Sequence, residues 1–213
     1  MVITCILLSA GLSERFGSPK ALARFGHTTV VGHIQNTLLK SSCDKIIVVL
    51  GAHAQRIQPS IFIHSRIRVV YNKDYNLGQL SSVQAGCREA DGPSTGLMFL
   101  PVDCPLIQSS SIDIIIEHFK KFGPDILIPT YQNKKGHPPV FHQHLKSKIL
   151  DLPMNLGLNS LFAEHPPQTI EINDPGIIKS FNTPEELAVI LSKTKHFIVR
   201  RIYSLHCLHG TVI

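Results

Sequence analysis

The segment Leu8-Ser9-Ala10-Gly11-Leu12-Ser13-Glu14-Arg15-Phe16-Gly17-Ser18-Pro19-Lys20 sets small residues and a glycine ahead of two cations. That order suits phosphate chemistry. A small, glycine-bearing turn at the end of a strand lets backbone N–H groups approach a phosphate or a base with no side chain in the way, and Arg15 and Lys20 are placed to neutralise a polyphosphate. The two familiar glycine loops do not fit, because G-x-G-x-x-G is absent and the Gly11 to Gly17 spacing is not followed by Lys-Ser/Thr. A Rossmann dehydrogenase and a P-loop ATPase are thereby disfavoured. Asp103 closes another apolar run, and a carboxylate at the end of a buried strand is costly unless something positive meets it. Ser81 and Ser82 open a helical stretch, where hydroxyls and free N–H groups can hold a phosphate or a ribose; an ordinary helix cap is the alternative.

Residues 8–20 resemble the L-x-A-G-x-S-x-R-x-G-x-x-K signature of the nucleotidyltransferases that include the molybdenum cofactor cytidylyl- and guanylyltransferases. The ordered set Ala10, Gly11, Ser13, Arg15, Gly17 and Lys20 carries the match. Asn72 to Ser82, NKDYNLGQLSS, is similar to the family's N-x(5)-G-x-x-S-S, and Leu100-Pro101-Val102-Asp103-Cys104-Pro105 resembles its strand-ending D-x-P. The resemblance implies that Leu8, Ser9, Ala10, Gly11, Ser13, Asn72, Gly78, Ser81 and Ser82 bind the nucleotide. It also implies that Arg15, Lys20 and Asp103 are catalytic, with Mg²⁺ on Asp103. Gly136-His137-Pro138-Pro139-Val140-Phe141 resembles the G-H-P-V-L-F of the cytidylyltransferase branch, which assigns His137 to the acceptor. Phe181-Asn182-Thr183-Pro184-Glu185-Glu186-Leu187 is similar to the family's D-x-D-T-P-E-D-L, except that Ser180 and Asn182 stand where aspartates are usual. An Asn carbonyl ligates Mg²⁺ without charge, so Asn182 is a candidate second metal ligand and, equally, a plain turn residue. Met154 to Leu161 lies where that branch often has G-D-x-G-x-R, and its Asp and Arg are missing.

For the whole chain the resemblance implies a three-layer α/β/α sandwich around a mainly parallel, Rossmann-like sheet of the nucleotide-diphospho-sugar-transferase type. The implied reaction is Mg²⁺-dependent transfer of CMP from CTP to the molybdopterin cofactor, with pyrophosphate released and a molybdoenzyme as recipient of the product. Ala10-Gly11 favours CTP, where Gly-Gly would favour GTP. Guanylyl or other nucleotidyl transfer to a different phosphorylated acceptor, such as a sugar or alcohol phosphate, stays open, as does a non-catalytic carrier of the cofactor.

The elements that must hold these residues alternate. Val2 to Ser9 is almost continuously apolar, the pattern of a strand covered on both faces, and Lys45 to Leu50, Ile67 to Tyr71, Gly96 to Leu100 and Asp125 to Pro129 repeat it. Between them, Thr28 to Lys40, Ser81 to Ala90 and Ser110 to Lys121 carry helical periodicity, the last through Ile112, Ile115, Ile116 and Phe119. After about Tyr131 the rhythm breaks at the Gly136 to Pro139 loop. A short strand at Val140 and Phe141, a helix around Leu158 to Ala163, a strand at Thr169 to Asn173 and a helix capped by Thr183 complete the reading.

Composition narrows the class further. The 213 residues are 43% hydrophobic with a net charge of +6, which excludes a disordered chain. The positive excess comes without a Lys/Arg run, an interleaved aromatic stripe or any Trp, so small anions are expected as partners and nucleic acid is not. No apolar stretch reaches the roughly 18 residues of a membrane span, and the N-terminus lacks the features of a signal peptide, so the expected compartment is the cytoplasm. Cys5, Cys43, Cys87, Cys104 and Cys207 are scattered and read as free thiols. Cys207 with His206 and His209 is the one sequence cluster that hints at metal, and it falls short of four ligands. The expected division is a nucleotidyltransferase domain over residues 1–194 and a tail of unread purpose, in part strand-like, over residues 195–213.

Overall fold

The computed structural model describes residues 1–90 and 94–192. The tail over 195–213, with its strand-like segment and the Cys207 cluster, lies outside the described residues. β1 (Val2–Ser9) sits at the centre of the sheet. Its alternate side chains enter two separate cores: Ile3, Cys5 and Leu7 on one face, Ile6 and Leu8 on the other, all buried. That double burial is why the segment reads as an unbroken apolar run.

β2 (Arg24–Phe25) and β3 (Thr28–Thr29) form a two-stranded hairpin before α1 (Val30–Lys40). The helix expected from Thr28 therefore begins two residues later. Thr29 is its N-cap, accepting the Gly32 N–H at 3.2 Å, a task its side chain can perform only from extended backbone. β4 (Lys45–Leu50), α2 (Ala54–Ile57), β5 (Ile67–Tyr71), α3 (Gln79–Glu89), β6 (Ser94–Pro101) and α4 (Ser109–Phe122) continue the alternation. β7 (Ile126–Tyr131) turns into β8 (Lys134–Lys135) through Gln132 and Asn133, both at positive φ as a two-residue hairpin turn requires. β9 (Val140–His142), α5 (Lys146–Asp151) and β10 (Gln168–Glu171) follow, and a last helix, α6, is described over 184–192. The expected helix at Leu158–Ala163 is a 3₁₀ helix, and the expected strand from Thr169 runs one residue earlier and ends at Glu171.

The main sheet has the order β10-β7-β9-β6-β1-β4-β5, with β8 paired to β7. β9 runs antiparallel between β6 and β7, while the β10–β7, β6–β1, β1–β4 and β4–β5 pairs are parallel. α1 and α4 cover one face, burying Val31, Ile34, Leu38, Ile112, Ile115, Ile116 and Phe119; α3 and α5 cover the other. The architecture is a three-layer α/β/α sandwich. α3 lies close against the sheet because Gly86 faces it, where a Cβ would come 2.4 Å from Ile6 Cγ2. The chain leaves β1 toward β4 and β5 on one side and returns to β6 on the other, so strand order reverses at β1. A crevice therefore opens between the carboxyl ends of β1 and β6, the place where open α/β sheets bind their ligands. Among the described residues no helix is long and apolar enough to cross a membrane.

Candidate active site

A cleft of about 370 Å³ occupies that crevice, within the range of small-molecule sites. The turn after β1 forms one wall through Leu8, Ser9, Ala10, Gly11 and Ser13. Its shape is fixed from behind: the Ala10 carbonyl accepts the Ala52 N–H at 3.0 Å, and the Leu12 carbonyl lies 3.0 Å from His53 Nε2. Ser9 Oγ is buried and has no hydrogen-bond partner. An orphaned hydroxyl in a cleft wall is a group left for a ligand to satisfy.

Ser13 adopts left-handed backbone (φ 57°), and Gly17 repeats that conformation (φ 73°) at the end of the short 3₁₀ turn Glu14–Phe16. This curl lets Ser13 Oγ accept the Lys20 N–H at 3.2 Å and delivers Lys20 to the cleft. Lys20 Nζ lies 3.5 Å from Asp103 Oδ2, which arrives just beyond the end of β6, and 2.8 Å from Asn182 Oδ1. Arg15 Nη2 donates to the same Asn182 oxygen at 2.9 Å. Four residues from three distant segments of the chain thus converge on one point. Phe181 anchors the convergence: its N–H donates to the Asp103 carbonyl at 3.1 Å, its ring packs edge-on against Phe16, and Lys20 Nζ sits 5.8 Å from the ring centroid. A capping box at the start of α6, in which Thr183 Oγ1 accepts the Glu186 N–H and Glu186 Oε2 accepts the Asn182 and Thr183 N–H groups, holds Asn182 in register.

The opposite wall comes from the start of α3. Gly78, at φ 97° and ψ −176° where only glycine is unstrained, is the N-cap, so the helix opens at Gln79 and not at Ser81. Gly78 and Ser82 line the cleft. Asn72 and Ser81 stand behind it: Asn72 Nδ2 donates to Ser81 Oγ at 2.8 Å and Ser82 Oγ at 3.0 Å, while its Oδ1 accepts the Asp74 N–H. Asn72 has spent its hydrogen-bonding capacity on the turn and acts through the serines. Tyr75, Asn76 and Gln79 also line the cleft, at positions within the Asn72 to Ser82 motif that carried no sequence signal.

His137 is not part of the cleft wall. Its Nδ1 is buried without a partner, and it lies within electrostatic reach of Asp103. Burial holds the His137 imidazole below the usual histidine value of 6.5 despite that carboxylate, and burial does the same to His33, packed on Phe25. The consequence for stability has a definite sign. Above about pH 6.5 neither state of the chain binds these protons; below it the unfolded chain does and the folded chain resists, so stability falls with acidification. The urea midpoint is expected to decline from about pH 7 toward pH 5.5, and His33→Gln together with His137→Gln should flatten the decline. Cys5, Cys43, Cys87 and Cys104 are buried free thiols. Burial pushes Cys87 up to about 12, and burial together with the neighbouring Asp103 charge raises Cys104, so neither is a nucleophile near neutrality.

The donor set at Asp103 and Asn182 suits a hard divalent cation. One carboxylate oxygen and one amide carbonyl oxygen already converge on a single positive centre, the Lys20 ammonium, and a hydrated ion bound mostly by phosphate needs only one or two such protein oxygens. Asn182 Oδ1 is taken by Lys20 and Arg15 in this arrangement, so its use as a ligand requires those donors to turn to phosphate.

A family model described as a MobA-like NTP transferase domain matches residues 5–169, well over half of the chain. The chain belongs to the MobA-like NTP transferase family. Its relatives include the molybdenum cofactor cytidylyltransferase of Escherichia coli (strain K12), 27% identical over 188 residues, covering 86% of this chain and 93% of that protein. They also include the nicotine blue oxidoreductase of Paenarthrobacter nicotinovorans, 26% identical, covering 81% of this chain and 86% of that protein. Among solved structures, a nucleotidyl transferase from Methanothermobacter thermautotroptrophicus superposes with a TM-score of 0.76 at 19% identity, covering 92% of this chain and 99% of that one. That last likeness speaks to the fold. As a MobA-like NTP transferase the chain is a nucleotidyltransferase.

Proposed function

We propose that the protein transfers CMP from CTP to the molybdopterin cofactor with release of pyrophosphate, using Mg²⁺, in the cytoplasm, through a domain spanning residues 1–194. The observation that carries the reading is the Lys20–Asp103 pair in a cleft walled by the Ala10-Gly11 turn. Phosphoryl transfer asks little covalent chemistry of a protein and much positioning and charge neutralisation. The turn after β1 receives the base and sugar, and Ser9 and Ser82 supply hydroxyls to the nucleotide. Lys20 and Arg15 leave Asn182 for the phosphate oxygens and stabilise the charge that develops on the leaving pyrophosphate. Asp103 and Asn182 would hold Mg²⁺, which when bound would supply positive charge against the negative charge of the reacting phosphates. A phosphate monoester acceptor is already ionised near neutrality, so the absence of a strong base among these side chains is consistent with the reaction.

Ala10 in place of a second glycine supports CTP, and the Gly136 to Pro139 loop supports the cytidylyl branch. Met154 to Leu161, without the branch's Asp and Arg, favours a second reading in which the acceptor is another phosphorylated compound. Pyrophosphate release measured with CTP, GTP, ATP and UTP against purified molybdenum cofactor separates these. CTP-selective release supports the first reading. Release with another triphosphate, or only with a sugar or alcohol phosphate as acceptor, replaces it; nucleotide binding without release from any pairing identifies a carrier.

Gly11 gives a sharper check on the cleft. A Cβ there would meet no protein atom within 4 Å, and its φ is not positive, so Gly11→Ala should keep or slightly raise the thermal midpoint. The added methyl projects where the nucleotide lies. The KM for the triphosphate is expected to rise by at least about tenfold, each 1.4 kcal/mol of lost binding being a factor of ten. An unchanged KM would remove the nucleotide from this wall.

A further inference from the structure

At the end of the sheet opposite the cleft, three side chains distant in sequence face one another. Asp125 precedes β7, His144 follows β9, and His165 lies between the 3₁₀ helix Leu158–Ala163 and β10. Asp125 Oδ2 is 2.7 Å from His165 Nδ1, and its Oδ1 is 3.2 Å from His144 Nε2. One ligand atom from each of the three lies within 4.8 Å of the other two.

The His144 ring is held from behind by its neighbour. His142 Nδ1 accepts the main-chain N–H of His144 at 3.3 Å and lies 2.8 Å from His144 Nδ1. That contact leaves His144 Nε2 facing the Asp125 carboxylate, with an imidazole nitrogen and a carboxylate oxygen directed at one place.

We propose that Asp125, His144 and His165 form a second metal site, separate from the nucleotide cleft, which takes a zinc-class divalent ion. Two imidazoles and one carboxylate are the donors that borderline transition ions prefer over Mg²⁺, with water left to complete the coordination. The His142 ring braces His144 from behind, as outer partners of metal-bound imidazoles do. His144 and Asp125 are about half exposed, so an ion can enter without opening the fold. Binding would tie together the start of β7, the turn after β9 and the approach to β10. Lys148 opposes it: its ammonium is 2.9 Å from His165 Nε2, and a metal on Nδ1 puts a proton on that nitrogen, so Lys148 must turn wholly to Glu164, its partner at 2.5 Å.

The test uses the full chain stripped by chelator, titrated with Zn²⁺ against a chromophoric competitor and with Co²⁺ for its visible spectrum. One ion per chain is expected at this site, with a rise in thermal midpoint on binding. His144→Ala and His165→Ala should each weaken it by more than about 100-fold, beyond the 10- to 100-fold cost of losing an outer partner such as His142. Lys148→Met should strengthen it. Asp103→Asn, and the combined His206→Ala, Cys207→Ser and His209→Ala variant, should leave it unchanged. No Zn²⁺ binding by the native chain would show a hydrogen-bonded cluster only and overturn the proposal. Binding that survives in both His144→Ala and His165→Ala, or that vanishes in the tail variant, would overturn it as well. Equal metal-free thermal midpoints in the native chain and the histidine variants rule out misfolding as the cause of lost binding.

Discussion

Lys20→Ala is expected to lower turnover by about 10²- to 10³-fold, the cost of removing one preorganised donor from a developing negative charge. Its effect on folding should be small. The Lys20–Asp103 pair is partly open to water, at 13% and 26% side-chain exposure, and such pairs contribute at most about 1 kcal/mol. For a chain of this size that is a shift of roughly 2–4 °C in Tm. Asn182 loses one of its two donors and keeps Arg15, and the backbone bond from Ser13 Oγ to the N–H of residue 20 survives the substitution. A variant that melts early but retains its rate would mean that Lys20 is a strut for the β6 end of the sheet and not a contact of the phosphates.

Asp103→Asn is the second large effect. The substitution keeps the shape and the backbone carbonyl that receives the Phe181 N–H, and it removes the carboxylate that is paired with Lys20. With Asn182 already neutral, the site is left without a protein charge to hold a divalent cation. Turnover should fall by at least about 100-fold, and the Mg²⁺ concentration for half-maximal rate should rise. Asn182→Asp runs the other way. It restores the charge that the resemblance leads one to expect there, and a lower half-saturating Mg²⁺ concentration is its expected result. Steady-state rates across a Mg²⁺ titration read both variants.

Much of the frame was legible because burial leaves a plain signature. β1 and β4 begin and end where their apolar runs do, since helices cover both faces, and β5, at the edge of the sheet, keeps its run although Arg68 within it is exposed. α1 was misplaced at its start because Thr28 and Thr29 continue the helical spacing while their backbone pairs with Arg24 and Phe25. β9 was readable as a strand, but its place between β6 and β7, against the direction of its neighbours, is set by pairing partners that no local pattern encodes.

The site divides in the same way. Ser9, Gly11, Ser13 and Lys20 lie on one continuous segment, so a single motif, read through the family resemblance, exposed them. The meeting of Lys20 with Asp103 and Asn182, 83 and 162 residues further along, is a property of the folded chain. Asn72 and Ser81 looked like ligand contacts in the motif, yet a motif does not distinguish a residue that faces the cleft from one that braces the wall behind it. The cluster of Asp125, His144 and His165 escaped notice because its members are up to 40 residues apart, whereas His206, Cys207 and His209 drew attention by adjacency.

The most direct test of the central claim follows the phosphorus atoms. With CTP labelled at the α-phosphate, Mg²⁺ and purified molybdenum cofactor, the account predicts label joined to the cofactor and pyrophosphate released in equal amounts, both lost in Asp103→Asn. Label recovered only as unchanged CTP, or as free CMP with no labelled adduct, would contradict nucleotidyl transfer to that acceptor.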